Sequence, residues 1–175
     1  MPLTVLIGGA RAGKSSLATR LAEQTGLPVT FVATAQALDD EMKLRIARHR
    51  RERPKEWETV EEPLTLGDAL VAIDPARAVV VDCLTLWVSN LVLGAYDDDE
   101  IEKRAAVVAQ TAAERKTPAF VVTNEVGSGV HPSTDLGRRF RDLLGRVNVI
   151  WTEAATDAFL VVAGRCIRLS SPELR

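Results

Sequence analysis

The sequence predicts an α/β fold, a mostly parallel sheet with helices on both faces, and three observations carry that expectation. Short runs of Val, Leu, Ile, Phe and Ala alternate along the chain with longer segments of helical periodicity. The short runs are nearly continuous in apolar residues, the pattern of strands covered on both faces. The chain has 175 residues, 46% of them hydrophobic, enough to bury one core but hardly two, so one domain spanning 1–175 is expected.

The elements follow in order. Residues 4–7 read as the first strand and residues 14–24 as the first helix, which Gly26 and Pro28 close as a C-terminal stop. Val29–Ala33 is the second strand, followed by a helix over 39–50 and another over 65–73, where Thr65 and Asp68 have capping-box-like spacing. Strand 79–81 leads into a helix from Leu84 onward. The acidic cluster Asp97-Asp98-Asp99-Glu100 reads as the start of a solvated helix over 99–115, favourable at the positive end of its dipole, rather than as a metal site. A strand at 119–123 and a helix at 134–155 come next. The last strand, 159–163, runs through Gly164 and Arg165 into 166–169, short enough for a terminal antiparallel hairpin.

Composition sets limits on function. Lys and Arg number 22 against 24 Asp and Glu, a net charge of −2, which speaks against a nucleic-acid partner for the protein as a whole. No run approaches the roughly 18 apolar residues of a membrane span, and the first apolar run lacks the flanks of a signal peptide, so a cytoplasmic location is expected. Cys83 and Cys166 lie far apart without CxxC spacing, and both are expected to be small, buried apolar residues rather than zinc ligands or a disulfide.

The strongest motif is Gly8-Gly9-Ala10-Arg11-Ala12-Gly13-Lys14-Ser15, which fits G-x-x-x-x-G-K-[ST] between a predicted strand and a predicted helix. Glycines let the backbone turn its N–H groups inward and the helix N-terminus adds positive potential. Lys14 supplies a point charge for β- and γ-phosphates, and Ser15 is a Mg²⁺ ligand. A nucleoside triphosphate suits this loop. Val79-Val80-Val81-Asp82 ends a strand in a carboxylate, which either holds Mg²⁺ through water or caps the following helix.

Lys43, Arg45, Arg48, Arg50, Arg51, Arg53 and Lys55 form a basic segment around His49, with Met42 and Ile46 as a narrow apolar stripe. Two readings are open: a solvated basic face, or a second phosphate site beside a neutral imidazole that is a nucleophile for phosphorus. His131 lies in Asn124-Glu125-Val126-Gly127-Ser128-Gly129-Val130-His131-Pro132, after the strand at 119–123. Such a loop either borders the ligand crevice of an open sheet or is an ordinary turn, and His131 is assigned no catalytic role.

Further segments take the pattern beyond a phosphate loop. They are Ala33-Thr34-Ala35, Leu38-Asp39-Asp40-Glu41-Met42, Arg45-Ile46 with His49, Arg53-Pro54 with Trp57, Asp82-Cys83-Leu84-Thr85-Leu86-Trp87, Thr123-Asn124-Glu125-Val126-Gly127, Arg138-Arg139-Phe140-Arg141-Asp142, Gly145-Arg146-Val147-Asn148, and Leu160-Val161-Val162-Ala163-Gly164. In this order, over almost the whole chain, the sequence resembles the adenosylcobinamide kinase/adenosylcobinamide-phosphate guanylyltransferase family. The resemblance implies a RecA-like P-loop NTPase fold and an enzyme of cobalamin nucleotide-loop assembly, using GTP or ATP with Mg²⁺. It would phosphorylate the aminopropanol hydroxyl of adenosylcobinamide, then transfer GMP from GTP to adenosylcobinamide phosphate, giving adenosylcobinamide-GDP and pyrophosphate.

On the same terms His49 matches the histidine that the family guanylylates, and Lys14 with the phosphate loop would serve the kinase step. Thr34, Ala35, Gln36, Arg50, Arg51, Glu52 and Arg53 would contact the guanine nucleotide, with Glu61 and Asp82 completing the site. Ala12 stands where relatives usually have Ser, Ser128 where Met is common, and Val149-Ile150-Trp151-Thr152 departs from the usual polar, alanine-rich helix. Relatives can be trimeric, and a homo-oligomer is expected here on the apolar surface around Trp87, Leu91 and Leu93. A P-loop GTPase would need Lys where Glu125 stands. The remaining alternative is a nucleotide-binding module or simple kinase whose basic helix binds nucleic acid, which a steep salt dependence would reveal.

Overall fold

The computed structural model describes residues 3–37 and 39–170, apart from the side chains of Glu41, Arg45 and Glu52. In chain order the elements are β1 (Leu3–Gly8), α1 (Lys14–Glu23), β2 (Val29–Ala33), α2 (Asp40–Glu52), β3 (Glu58–Glu61), α3 (Leu66–Ala72), β4 (Ala78–Asp82), α4 (Leu84–Leu93), α5 (Asp98–Ala113), β5 (Ala119–Asn124), α6 (Asp135–Ala154), β6 (Asp157–Val162) and β7 (Arg165–Leu169). The strands form one sheet in the order β3-β2-β4-β5-β1-β6-β7. All neighbours pair in parallel except β6 and β7, which close the sheet as the expected antiparallel hairpin.

Strand β1 is thus interior to the sheet, held between β5 and β6. Its six residues are all buried, as are those of β2, which explains their unbroken apolar runs. Alternating strand residues feed two cores. On one face Leu6, Phe31, Val80, Phe120 and Val161 pack with Ala18 and Ala22 of α1. On the other, Val5, Val81 and Val121 pack with α3, α4, α5 and α6 through Leu70, Trp87, Leu91, Ile101, Leu144 and Trp151.

Several local expectations need correction. Strand β3 is absent from the sequence reading because Glu-Thr-Val-Glu is an edge strand, largely exposed and without an apolar run. Thr65 stands at the N-terminus of α3 but makes no side-chain cap; Glu62 instead accepts the N–H groups of Leu64 and Thr65 at 2.9 and 2.7 Å. Cys83 is buried as expected, whereas Cys166 on the outermost strand is exposed. Trp87 and Leu91 are 1% and 0% exposed, so only Leu93 of the surface expected to bind a second copy is available. Helix α4 is apolar nearly all round, and most of that surface packs within this chain, against the sheet, α5 and α6. Among the described residues no helix is long and apolar enough to cross a membrane.

Candidate active site

Gly8 ends β1 and Lys14 begins α1, so the phosphate loop spans the strand-to-helix turn its motif requires. Gly13 precedes the helix with φ +98°, a conformation costly for any residue with a Cβ. Lys14 is buried, and its Nζ donates to the carbonyls of Gly8 at 3.0 Å and Gly9 at 2.6 Å, bridging the loop from within.

The terminal hairpin buttresses this loop from outside. Ala163 and Gly164 form its turn with φ +50° and +75°, and the Gly164 N–H donates to the Ala12 carbonyl at 2.9 Å. A Cβ on Gly8 would overlap the Val161 carbonyl oxygen, and one on Gly13 would lie 3.3 Å from the Gly164 Cα. These glycines therefore permit the loop and β6 to approach, besides letting the backbone turn.

A cleft of about 560 Å³ opens over the loop. Ala10, Arg11, Ala12, Gly13, Lys14 and Ser15 line one side, Asp82 and Asn124 its floor at the ends of β4 and β5, and Arg48, His49 and Arg51 of α2 the other. Arg48 and Arg51 of α2 thus face the phosphate loop across the cleft. Asp82 does not cap α4, whose N-cap position is held by Cys83. Its carboxylate and the Ser15 hydroxyl share the cleft, an all-oxygen pair suited to a hard divalent cation that completes its shell with phosphates and water.

A second cavity, about 650 Å³, lies on the β3 side of the same segment, lined by Arg50, Arg51, Arg53, Trp57, Thr59 and Glu61 among others. Arg51 borders both spaces. Arg50 is paired with Glu61, which fixes that wall. The Arg53 guanidinium stacks on Phe31, Cζ 3.6 Å from the ring centroid. Burial pulls its pKa below the usual arginine value, partly offset by Asp82. Nε and Nη1 of Arg53 are buried without a hydrogen-bond partner among the described residues.

Not every expected site residue lines these spaces. Thr34 is fully buried, its hydroxyl donating to the Cys83 carbonyl at 2.7 Å and accepting from the Cys83 N–H at 2.8 Å. The Thr34 carbonyl accepts from Asn90 Nδ2 at 2.8 Å, so the segment with Ala35 and Gln36 is anchored behind the cleft rather than lining it. Glu52 falls in α2, and its side chain lies outside the described residues. Gly8 and Gly9 contribute through their carbonyls to Lys14. His131 is exposed, with Nδ1 2.8 Å from Nη1 of Arg141. Arg48 and Asn124, in contrast, line the cleft without having been assigned to the site from sequence. Arg48 was legible only as one cation in a run, and Asn124 only from its place at the carboxyl end of a parallel strand, where ligands of open sheets bind.

The strand-loop-helix turn, the carboxylate on a strand separated from β1 by β5 and the sheet order define a P-loop nucleotide-binding protein of RecA-like type. The chain belongs to the cobinamide kinase/cobinamide phosphate guanyltransferase family, whose model matches residues 4–169. It is 42% identical over 161 residues to the bifunctional adenosylcobalamin biosynthesis protein CobP of Pseudomonas aeruginosa, covering 91% of this chain and 92% of that one. It is 41% identical over 180 residues to the bifunctional adenosylcobalamin biosynthesis protein CobU of Escherichia coli, covering 95% and 99%. Among solved structures it is similar to a KaiC-like protein of Pyrococcus horikoshii, with TM-score 0.52 and 15% identity over 91% of this chain and 70% of that one. The RadB recombinase gives TM-score 0.51 and 18% identity over 90% and 73%. At those identities the two structures speak for the fold alone.

Proposed function

We propose that this chain is a bifunctional enzyme of cobalamin biosynthesis, and that one domain spanning 1–175 performs both steps. In the first, the aminopropanol hydroxyl of adenosylcobinamide takes the γ-phosphoryl group of ATP or GTP. In the second, GMP passes from GTP to adenosylcobinamide phosphate through His49. The observation that carries this reading is the single cleft in which Lys14 and the phosphate loop face Arg48, His49 and Arg51.

The loop amides and Lys14 bind the β- and γ-phosphates, and Lys14 offsets charge as the phosphoryl group moves. Ser15 and Asp82 would hold Mg²⁺, which when bound would neutralise phosphate charge. For guanylyl transfer a ring nitrogen of His49 attacks the α-phosphorus of GTP; a P–N bond forms, the P–O bond to the β-phosphate breaks, and pyrophosphate leaves. A phosphate oxygen of adenosylcobinamide phosphate then attacks the same phosphorus and the P–N bond breaks, giving adenosylcobinamide-GDP. Arg51, common to both cavities, would lie along the guanine nucleotide, and the orphaned donors of Arg53 beside Arg50 and Glu61 offer it further contacts.

Incubation with Mg²⁺ and GTP labelled at the α-phosphate is expected to leave one acid-labile, alkali-stable GMP on the chain without any corrinoid. The His49→Asn variant is expected to lose that label and guanylyl transfer while still phosphorylating adenosylcobinamide. Labelling of His49→Asn, or loss of both activities together in a folded protein, would show that His49 is not the nucleophile.

A further inference from the structure

Strand β5 sorts its side chains by alternation. Ala119 and Val121 enter the core beneath α4, α5 and α6, while Phe120 and Val122 enter the core beside α1. Thr123 follows the first set: its hydroxyl donates to Oδ1 of Asn148 on α6 at 2.7 Å. Asn124 therefore falls on the α1 side, and together with Val122 it lines the cleft over the phosphate loop.

The backbone of Asn124 is held from three directions. Its N–H donates to Oγ1 of Thr85 at 2.7 Å, its carbonyl accepts from Nδ2 of Asn148 at 3.0 Å, and the next N–H, that of Glu125, donates to the Gly8 carbonyl at 3.1 Å. Sheet register places Asn124 opposite Gly8, the first residue of the phosphate loop. On the other side β4 lies alongside, with Asp82 opposite Val122. Yet the Asn124 carboxamide itself has no hydrogen-bond partner among the described residues. Half-buried on a fixed backbone and facing a phosphate cleft, the carboxamide is placed to donate to a phosphate oxygen of a bound nucleotide.

We propose that Asn124 is a catalytic residue of the kinase step, its Nδ2 donating to an oxygen of the γ-phosphoryl group in transit. In that step the corrinoid hydroxyl oxygen bonds to the γ-phosphorus. The P–O bond to the β-phosphate breaks, its electron pair leaves with the nucleoside diphosphate, and the hydroxyl proton passes to water. Asn124 exchanges no proton; it supplies a neutral donor where charge spreads over the equatorial oxygens, beside a lysine and a carboxylate already in place. The inference rests on the kinase reading given above, and it separates this step from attack of His49 on an α-phosphate.

The test compares the full-length chain with Asn124→Ala and Asn124→Asp. Both substitutions keep the backbone groups that Thr85, Asn148 and Gly8 engage, so the melting temperature is expected to hold. In Asn124→Ala, kcat for adenosylcobinamide phosphorylation is expected to fall about 10²-fold, the usual loss of one transition-state donor, with KM for ATP nearly unchanged. Asn124→Asp, which sets a carboxylate against phosphate, is expected to fall at least as far. Labelling of His49 from GTP is expected to persist in both. Unchanged kcat, a loss confined to KM, or equal loss of His49 labelling would overturn the role of Asn124 and leave the functional reading standing. A parent chain that phosphorylates no corrinoid would overturn that reading, and this inference with it.

Discussion

Lys14 donates to two loop carbonyls and lines the cleft, so its removal tests phosphate chemistry. Lys14→Ala is expected to lower phosphoryl transfer by at least about 10²-fold while the thermal transition stays in place; unaltered turnover would remove the loop from the mechanism. Gly8→Ala is the opposite experiment. Its added methyl group collides with a backbone carbonyl of β6 that cannot swing aside as a side chain could, so a loss of about 3 kcal/mol is expected in urea unfolding. Both residues were legible in the sequence as parts of a motif, because the motif's chemistry is local. Asn124 was visible as a residue but not as part of the site, since its importance comes from sheet register and from Thr85 and Asn148, 39 and 24 positions away.

Helix α5 is specified by its ends. Asp97 caps it by accepting the Glu100 N–H at 2.7 Å, and Asp97→Ala is expected to cost about 1 kcal/mol, readable as a lower urea midpoint with unchanged slope. The next residue ties α5 to α6: Arg139 hydrogen-bonds the Asp98 carboxylate, with Arg146 adding to it, and together they hold its pKa below the ordinary 3.8. A carboxylate whose folded pKa is depressed contributes stability that is complete above the ordinary value and is lost as pH falls below it. Urea midpoints measured at pH 7 and pH 3 are therefore expected to differ less in Asp98→Asn than in the parent chain. An equal acid loss would show that the pair does not couple the helices. At this scale the sequence was informative where capping and periodicity were strong, as in α1, α5 and α6. It was misleading for Trp87 and Leu91 of α4, which the chain buries in its own core, because apolar periodicity does not say what covers a helix face. It was silent on β3, whose single half-buried valine leaves no apolar run, although β3 carries Glu61 into the second cavity.

Across the whole molecule, an alternation of strands and helices predicts a parallel sheet but not which strands adjoin, because order in the sheet is decided by pairings distant in sequence. The order found sets β5 and β6 on either side of β1 and lays the turn of the last hairpin against the first loop. For a chain emerging from the ribosome this has a direct result. The phosphate loop precedes its supports in the chain, so the nascent protein carries an unfinished nucleotide site until β5, β6 and β7 have followed it. Its slowest pairings are also those of greatest sequence separation. A chain ending at Ala155 is accordingly expected to bind no ATP by calorimetry and to lose its cooperative unfolding transition, although the phosphate motif and the basic helix are both intact within it. Competence for nucleotide would then mark the arrival of the β6–β7 hairpin, a signal the molecule gives only when that hairpin has met the phosphate loop.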